Sequence, residues 1–528
     1  MSILYLFGID LIKWISLSFN VYSLWEKIKI RYKSWRKTNG RHMLSYHEDG
    51  FAHDTIRYRF REIMHSLNNH YEDACKELKI PEFKRPFSYS VMLKTDFHRP
   101  KNLLNSIEEN NRIILNEFYS KCESNFDTIK KFGDVFEELP FIDVEHLFYF
   151  YLLDVFYGFD ICIQEKMSDN IKCEILDPYK LKKKEAIIKD LEKGLSKEDN
   201  KNKSPKDEKK EESSILKCLD LINKFDKSTE SEPIKRIKYD DVKEILTKIT
   251  LISLDSNTND LSQLSDRRCQ NISKERIFPY EIEKFSDLIW SIKEETEINY
   301  LVDNSGVEFF ADLTFAYVLL QMQSINNVIL HINKLPVFVS DVIESDYEHM
   351  MGLVEKIVNN IDNKNKEISE TKQNADDNNT QPGYGKALKK IQDLVKEEKI
   401  KIVSNFIWNM PTPYKELRKK DDRDVFSKPN SILIIKGDLN YRRLVEDKNW
   451  KYNKKIENFT QYIECPTLVV RSIKSNLVLD FKESEYNKLQ KTDKYWKENG
   501  EYGVIRFIKK DKNKKWWKKI ILRMIGDS

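Results

Sequence analysis

The sequence predicts an α/β protein, with a helical N-terminal domain followed by a three-layer α/β/α, Rossmann-like domain whose sheet is mostly parallel. Three observations lead to this prediction. Apolar residues recur at the helical period in the first half of the chain, and short apolar runs with polar ends begin near residue 298. Helical patterns lie between several of those runs, and alternating strands and helices are typical of crossover units in a parallel sheet.

The helical domain is predicted over residues 51–295. Its first clear pattern begins at Ile56 and ends at Leu67, with apolar residues on one face of a helix. A second stretch, residues 147–159, is apolar on almost every side. Because a membrane-spanning helix needs about 20 residues, we expect this shorter stretch to be a buried core helix.

The α/β domain is predicted over residues 296–510. Its strands are predicted at the apolar runs Ile298–Val302, Val328–Ile332, Lys401–Phe406, Ser431–Ile435, Thr467–Ile473 and Gly503–Ile508. The clearest helical patterns between them are Glu308–Gln321 and Val342–Asn360. This alternation predicts that the carboxyl ends of several strands meet at one edge of the sheet.

Four segments are predicted to lie outside the packed domains. Two are inserts at about 180–214 and 359–390, which are rich in Lys, Glu, Asn and Asp. Such compositions bury too little apolar surface to offset the entropy of ordering, so we expect both inserts to be disordered. The other two are an apolar and basic extension over 1–50 and a basic tail over 511–528.

The composition excludes several function classes. Lys and Arg number 90 and Asp and Glu number 86, for a net charge of +4, and the pI is about 8.3. Because dedicated nucleic-acid-binding domains usually have a pI above roughly 9, we expect no nucleic-acid partner. The seven cysteines include no CxxC pair. The spacing supports neither a disulfide framework nor a structural zinc site, and it favours a reducing compartment.

The N-terminal segment bears on localisation. Its uncharged stretch, residues 14–25, has only 12 residues, whereas a membrane span needs about 20. We therefore expect a cytoplasmic protein with no stable membrane span. A nuclear location, or weak membrane association through this segment and the Lys and Arg residues that follow it, is the alternative.

Acidic and amide side chains follow the first predicted strand of the α/β domain. Asp303 and Asn304 come directly after it, and Gly306 permits a tight turn before a helix. Asp341 follows the apolar run Val337–Val339, at a spacing that suits one strand–helix–strand unit. Carboxylate and amide oxygens suit a hard cation such as Mg²⁺ or Mn²⁺. The alternative is that Asp303 and Asn304 only cap the helix.

Basic side chains follow two later predicted strands. The run Lys436–Arg442 places two cations, a carboxylate, an amide and a phenol at one strand end, and Arg471 and Lys474 lie at the next. Because a cation beside a buried strand needs an anionic partner, a phosphate is the partner that we expect. The alternative for the first run is a helix start capped by Asp438, with Arg442 in solvent.

Together these residue types describe metal-assisted phosphoryl chemistry, in which a metal and cations offset the charge of a phosphate. Other enzyme classes lack their motifs. All nine histidines lie at or before His349, so the last third of the chain contains no Ser-His-Asp or Cys-His arrangement. No dinucleotide fingerprint and no Walker A motif occur, and no glycine-rich loop of a conventional SAM methyltransferase follows the first strand.

At these residues the sequence resembles the damage-control phosphatase family, in the sugar-phosphate phosphatase branch that is also called acidic-residue, or protein-glutamate, carboxyl methyltransferase. The segments that carry the resemblance are Asp303–Glu308, Phe338–Asp341, Phe406–Trp408, Lys436–Arg442 and Asn499–Gly503. The chain departs from the family where Arg-Thr-x-Lys becomes Arg471-Ser472-Ile473-Lys474, which keeps a hydroxyl and both cations.

The resemblance implies a metal-dependent phosphatase that hydrolyses small sugar phosphates of the fructose 1-phosphate and fructose 6-phosphate type and so removes damaging metabolites. It implies Asp303 and Asp341 as catalytic residues and, with Asn304, as ligands of a divalent metal, Mn²⁺ first and Co²⁺, Ni²⁺ or Mg²⁺ as alternatives. The implied substrate contacts are Asp303, Asn304, Asp438, Leu439, Asn440, Tyr441, Arg442 and Lys474. We expect Glu308, Lys436 and Arg471 to support them.

Two other functions stay open from the sequence. The first is a SAM-dependent protein-glutamate carboxyl methyltransferase, for which the resemblance places cofactor contacts at Glu308 and Asp341. The second is a non-catalytic scaffold of the same fold that binds partners through its terminal segments or inserts. Metal binding separates the scaffold from the phosphatase, because a bound metal stabilises the folded chain that binds it. Titration with SAM tests the methyltransferase.

Overall fold

The structure is a computed structural model that describes most of the chain between residues 51 and 510. The described residues are 51–77, 89–94, 97–124, 130–132, 135, 139–164, 177–195, 212–230, 238–258, 272–371, 383–417 and 420–510. The predicted extension 1–50 and tail 511–528 lie outside them, as do residues 196–211 and 372–382 of the two predicted inserts.

Seven strands form one sheet. They are β1 (Ile277–Tyr280), β2 (Thr296–Leu301), β3 (Ile325–Asn333), β4 (Ile400–Asn405), β5 (Ser431–Lys436), β6 (Thr467–Ser472) and β7 (Gly503–Ile508). Their order is β1-β7-β6-β5-β2-β3-β4. Every neighbouring pair is parallel except β6 and β7, which are antiparallel. The predicted mostly parallel sheet is confirmed.

The helices connect and cover these strands. They are α1 (Phe51–Asp54), α2 (Phe60–Glu77), α3 (Tyr89–Lys94), α4 (Lys101–Ser106), α5 (Glu109–Ser124), α6 (Phe141–Gln164), α7 (Lys180–Leu195), α8 (Ser214–Glu230), α9 (Tyr239–Thr258), α10 (Ile282–Ser291), α11 (Val307–Leu320), α12 (Glu344–Thr371), α13 (Tyr384–Lys396), α14 (Lys420–Ser427), α15 (Asp438–Leu444) and α16 (Glu483–Thr492). A π-helical turn, Thr55–Arg59, joins α1 to α2. Short 3-10 turns lie at Lys274–Arg276, Phe406–Asn409, Tyr414–Glu416 and Ile456–Asn458.

The six predicted strands are all present, with ends that differ by up to three residues. The central strands are easy to recognise because both of their faces are buried, which selects continuous runs of Ile, Val and Leu. All six residues of β5 and all six of β6 are buried. Strand β1 was not predicted, because it has only four residues, lies at the edge of the sheet and contains Pro279.

Helices pack on both faces of the sheet. Successive side chains of a strand point to opposite faces, and Ile432 and Ile434 of β5 share one hydrophobic cluster with helices α8, α9 and α11. Leu433 and Ile435 belong to the opposite cluster, which contains residues of α2, α5 and α6. The two clusters are the outer interfaces of the predicted α/β/α sandwich, which is therefore confirmed.

The helices of residues 51–291 do not all pack together. Those before residue 165 cover one face of the sheet, whereas α7 to α10 cover the other. Strand β1 at 277–280 also pairs with β7. Residues on both sides of the boundary predicted at 295 and 296 therefore contribute strands to one sheet. The helical period of a sequence reveals an apolar face, but it does not show which layer covers that face.

The described parts of both predicted inserts are mainly helical. Residues 180–195 form α7, in which Ile187 and Leu191 are buried. Helix α12 continues to Thr371, and α13 begins at Tyr384. The few apolar residues of the first insert recur at helical spacing, so they bury one stripe although the overall composition is highly charged.

Helix α6 contains the predicted core helix, residues 147–159. Leu147, Phe148, Phe150 and Leu153 are inaccessible to solvent, and they pack beneath the sheet face that carries Leu433. The prediction of a buried core helix is confirmed. Within the described ranges, no helix combines the length and the apolar character that a membrane crossing would require.

Candidate functional site

The site lies where the strand order reverses. From β2 the chain proceeds to β3 and β4 on one side, and then returns to β5 and β6 on the other side of β2. In an open parallel sheet such a reversal separates the two crossover connections and leaves a crevice beyond the carboxyl ends of the central strands. Strand β2 ends at Leu301 and β5 ends at Lys436. The residues after these two strands therefore face the crevice.

The first acidic turn, Asp303–Gly306, joins β2 to α11. Gly306 is the N-cap residue of α11 and has a φ of 72°, a conformation that glycine adopts at little cost. Neither Asp303 nor Asn304 occupies the N-cap position. The alternative prediction that these two residues only cap the helix is therefore wrong, because the turn is two residues longer than a simple cap requires.

The second acidic turn, Phe338–Asp341, lies beside the first. Asn304 and Asp341 form an isolated antiparallel bridge. The Ser305 N–H donates to the Ser340 carbonyl at 2.7 Å, and the Ser340 hydroxyl donates to Asn304 Oδ1 at 2.6 Å. The apolar run before Asp341 is an irregular segment and not a strand. The structure nevertheless brings Asp303, Asn304 and Asp341 together.

The turn after β5 approaches Asp303 closely. A Cβ atom on Gly437 would lie 2.1 Å from Asp303 Cγ and 2.3 Å from each of its carboxylate oxygens. Gly437 also has a φ of 98°, in the region that favours glycine. The Asp303 carboxylate therefore lies against the backbone of β5's turn, and a residue with a side chain at position 437 would displace it.

A pocket opens between these turns. Its space is about 340 Å³, including the part continuous with solvent, and its lining residues are Leu301, Val302, Asp303, His331, Asn333, Asp341, Trp408, Leu439 and Asn440. Four of these were predicted as site residues. His331 and Asn333 were missed, although they lie at the carboxyl end of β3 and obey the same strand-end rule.

Two aromatic rings form part of the pocket wall. The His331 ring meets the Trp408 indole edge-on, with centroids 5.6 Å apart. Burial lowers the pKa of His331 to about 4, so the imidazole is neutral near pH 7. Its Nε2 atom is hydrogen-bonded to Asn299 Oδ1 at 2.9 Å. The buried Trp408 indole N–H has no hydrogen-bond partner within the part of the chain that the structure describes.

A buried ion-pair cluster lies below the acidic turns. Lys436 Nζ contacts Glu308 Oε1 at 2.9 Å and Asp312 Oδ1 at 2.6 Å. Tyr300 donates its hydroxyl to the same Asp312 oxygen at 2.7 Å, and burial raises the pKa of Asp312 to about 6. Asn304 Nδ2 donates to Glu308 Oε2 at 2.9 Å. The cluster thus holds Asn304 in place. Asp312 was not predicted as a site residue, although its position four residues after Glu308 places both carboxylates on one face of the helix.

The Arg471 side chain has an anionic partner within the chain. Its Nη2 atom lies 2.5 Å from Asp438 Oδ1, and its guanidinium lies 4.2 Å from the centroid of the Tyr441 ring. The Lys474 backbone N–H and the Ser475 hydroxyl also donate to Asp438. A phosphate is therefore not needed to neutralise Arg471, contrary to our expectation, because Asp438 lies close enough in the fold.

Arg442 is also held by carboxylates. Its Nη1 atom donates to Glu145 Oε2 at 2.7 Å, and its Nε atom donates to Asp447 Oδ1 at 2.7 Å. The side chain is buried. The alternative prediction of an Arg442 in solvent is therefore wrong. Since Glu145 belongs to α6, this ion pair links the layer below the sheet to α15 at the edge of the site.

The residues around the pocket fit a divalent cation. Two carboxylates, from Asp303 and Asp341, line one space. The Asn304 amide donates to Asp303 Oδ2 at 3.2 Å, and its backbone is bridged to Asp341. Among the described residues no group of three or more His, Cys, Asp or Glu side chains is arranged as a metal cage. An incomplete set of oxygen donors is what Mg²⁺-type ions use when water and substrate phosphate supply the other ligands.

The match to a family model covers residues 129–489, and the model is described as the damage-control phosphatase ARMT1-like domain. The chain is 23% identical over 297 residues to the mouse (Mus musculus) damage-control phosphatase ARMT1 and 25% identical over 296 residues to that of the rat (Rattus norvegicus). Each match covers 52% of this chain and 62% of the relative. The human (Homo sapiens) protein of that name is 23% identical, with 52% of this chain and 61% of the relative covered.

A solved structure of a DUF89 family protein from Pyrococcus horikoshii aligns with 72% of this chain and 88% of its own length, at 11% identity and a TM-score of 0.27. The family model is the decisive finding, because it spans both acidic turns, the turn after β5 and helices on both faces of the sheet. The chain therefore belongs to the ARMT1-like damage-control phosphatase family, a family of phosphatases.

Proposed function

We propose that this protein is a metal-dependent phosphatase that hydrolyses small sugar phosphates, of the fructose 1-phosphate and fructose 6-phosphate type, in metabolite damage control. The observation that supports the proposal most is the meeting of Asp303, Asn304 and Asp341 at the crevice where the strand order reverses. Oxygen donors in a crevice of this kind suit a hard cation and a phosphate ester.

In this proposal Asp303, Asn304 and Asp341 would hold a divalent metal, because the family is generally dependent on divalent metals. Mn²⁺ is the first candidate. A bound divalent ion supplies charge stabilisation and lowers the pKa of water near the phosphate. The chain orients its own donors. Ser340 and Glu308 fix the two ends of the Asn304 amide, and the Phe338 N–H donates to Asp341 Oδ2 at 3.0 Å.

The proposed substrate contacts separate into two groups. Leu439 and Asn440 line the pocket beside the acidic turns. The Asn440 amide donates to the carbonyls of Val302 and Lys436, at 3.0 and 2.7 Å, so it fixes one wall of the pocket. Asp438, Tyr441 and Arg442 are engaged within the fold, and we propose that they shape the turn.

Lys474 is the residue that we propose as the phosphate-binding cation. Its backbone N–H donates to Asp438 Oδ1 at 3.2 Å, and this hydrogen bond anchors the residue in the turn after β6. A positioned ammonium group can orient a phosphate and stabilise the charge that develops during its transfer.

Phosphate release from a panel of sugar phosphates tests the proposal. The full-length protein is assayed with fructose 1-phosphate, fructose 6-phosphate and glucose phosphates, in EDTA and with Mn²⁺, Co²⁺, Ni²⁺ or Mg²⁺. We expect metal-dependent release that falls at least a hundredfold in Asp303→Ala. Asp393→Ala, which removes an exposed carboxylate from α13, is the matched control and is expected to keep wild-type activity. A folded Asp303→Ala protein with full activity would contradict the proposal.

A further inference from the structure

Helix α7 contacts both acidic turns. Lys183 Nζ donates to the backbone carbonyl of Asp341 at 2.6 Å. Ile187 lies beside the other turn, with its Cγ1 atom 3.5 Å from the position that a Cβ on Gly306 would occupy. Residues four apart lie on the same face of a helix. One face of α7 therefore lies across both turns, although its composition alone predicted disorder.

Lys183 is a fully engaged, buried cation. Its Nζ atom lies 2.7 Å from Asp177 Oδ2 and 2.8 Å from Asp346 Oδ2, in addition to the Asp341 carbonyl. Burial lowers the pKa of the ammonium group, but the two carboxylates outweigh burial and leave its pKa above the ordinary value. Lys183 therefore stays charged at physiological pH and holds three oxygen atoms around one nitrogen.

Two of the three acceptors belong to the second acidic turn or to the residues just after it. Asp341 accepts through its backbone, and Asp346 lies in the first turn of α12, just after it. The Asp346 carboxylate also accepts from the Ile343 N–H at 3.0 Å. Charge-assisted hydrogen bonds of this kind are short and directional. They fix the backbone on both sides of Val342, and so fix the direction in which the Asp341 side chain leaves it.

We propose that Lys183 is a positioning residue for the metal site: it sets the spacing between Asp341 and the Asp303–Gly306 turn, on which the affinity for the divalent ion depends. The inference rests on the proposed function. Its basis is the contact between Lys183 and the backbone of Asp341 itself, because this hydrogen bond fixes the peptide group from which the Asp341 side chain leaves. Ligand geometry must be held by its surroundings to be effective.

The test compares two charge-matched double variants. Lys183→Met with Asp346→Asn removes the cation and one of its carboxylates, and the new amide oxygen still accepts from the Ile343 N–H. Lys390→Met with Asp226→Asn makes the same change at the ion pair between α13 and α8, and the new amide still accepts from the Tyr317 hydroxyl. Lys183→Met alone is the third variant. The readouts are the Kd for Mn²⁺ by calorimetry and the unfolding temperature in EDTA.

We expect the Lys183→Met, Asp346→Asn protein to bind Mn²⁺ at least tenfold more weakly, and the Lys390→Met, Asp226→Asn protein to bind it within twofold of wild type. A wild-type Kd in the folded Lys183 variant, even with a lower unfolding temperature, would show a purely structural role and overturn the inference. If wild type binds Mn²⁺ and releases phosphate in that case, the proposed function stands. If wild type binds no divalent ion, the proposed function fails and this inference with it.

Discussion

The two acidic turns and the two basic turns, Lys436–Arg442 after β5 and Arg471–Lys474 after β6, lie at the same edge of the sheet but differ in where their charges are directed. Asp303 and Asp341 line a common pocket. Lys436, Arg442 and Arg471 are buried, and each one contacts carboxylates of its own chain. We propose that the acidic side presents its charge to a ligand, whereas these three cations use their charge to hold the fold together.

The difference shows what residue types at strand ends can and cannot reveal. Removing a cation from water is costly, and a buried cation is tolerated only with good partners. The partner can be a ligand or a carboxylate of the chain, and the local sequence is the same in both cases. For the basic turns the partners are Glu308, Asp312, Glu145, Asp447 and Asp438. We therefore propose the acidic turns as the site of metal chemistry.

The largest effect is expected from Gly437→Ala. The added Cβ would lie 2.1 Å from Asp303 Cγ, on a backbone with a φ of 98°. Asp303 or the β5 turn must move, and small displacements of a catalytic group can cost about 100-fold in rate. We expect metal-dependent phosphate release to fall by about 100-fold or more, measured under saturating Mn²⁺.

Gly352→Ala is the control for that substitution. Gly352 lies within α12, and no heavy atom comes within 4 Å of the position of an added Cβ. Alanine is favoured over glycine in a helix by roughly 1 kcal/mol, so this variant should be fully active and slightly more stable. Wild-type activity in Gly437→Ala would show that the close contact with Asp303 is not needed for function.

Arg442→Met should affect stability more than substrate binding. The substitution leaves the Glu145 and Asp447 carboxylates without their common partner in a buried region. Loss of one member of a buried ion pair costs about 3–5 kcal/mol. We expect urea denaturation to show a loss of this size in the free energy of unfolding, with the KM of the remaining folded enzyme little changed.

Arg99→Met is the matched control for Arg442→Met. Arg99 pairs with Glu123 at 2.7 Å, but both side chains are more than a third exposed. An exposed pair of this kind contributes about 0–1 kcal/mol. If Arg442→Met were as stable as Arg99→Met and raised the KM instead, Arg442 would be a substrate contact and our division between the two sides would be wrong.

His146 gives a pH-dependent test of the buried contact between α6 and the second acidic turn. Its ring packs against Phe338, with centroids 5.0 Å apart. Burial lowers the pKa of His146 from 6.5 to about 3. The unfolded chain takes up this proton below pH 6.5 and the folded chain does not, so stability present above pH 6.5 is lost as the pH falls. By pH 4 the loss is about 3 kcal/mol.

The His146→Asn variant lacks this titration and is the comparison for wild type. We expect the free energy of unfolding of wild type to decrease by about 3 kcal/mol more than that of the variant between pH 7 and pH 4. The other histidines titrate equally in both proteins, so the difference isolates position 146. Parallel pH profiles for the two proteins would mean that His146 is hydrated in solution.

The smallest effect is expected from Lys474→Met. If Lys474 orients the phosphate, its loss removes one charge-assisted hydrogen bond, for which about 1.5–3 kcal/mol is typical. We expect an increase in KM of about tenfold or more, with unchanged affinity for Mn²⁺. The control is Lys482→Met, which removes a side chain that is 80% exposed. Equal KM values for the two variants would exclude Lys474 as a substrate contact.

The sequence was informative where structure depends on neighbours in the chain. The central strands and the polar residues at their ends follow from local apolar runs. Asp303 and Asp341 meet as predicted, although the segment before Asp341 is irregular and not the strand on which the prediction relied. The missing information is long-range. Glu145 and Arg442 are 297 residues apart, and Lys183 and Asp341 are 158 apart. No local pattern identifies such partners, so the charge balance of the site and the role of α7 required the folded chain.

Titration with Mn²⁺ tests the central claim most directly, because the claim assigns the metal to the acidic turns and not to the carboxylate of the basic turn. Calorimetry is carried out on wild type, Asp303→Ala and Asp438→Asn. We predict one Mn²⁺ site in wild type, a loss of binding of at least a hundredfold in Asp303→Ala, and a Kd within about threefold of wild type in Asp438→Asn. Retained binding in Asp303→Ala together with lost binding in Asp438→Asn would contradict the account.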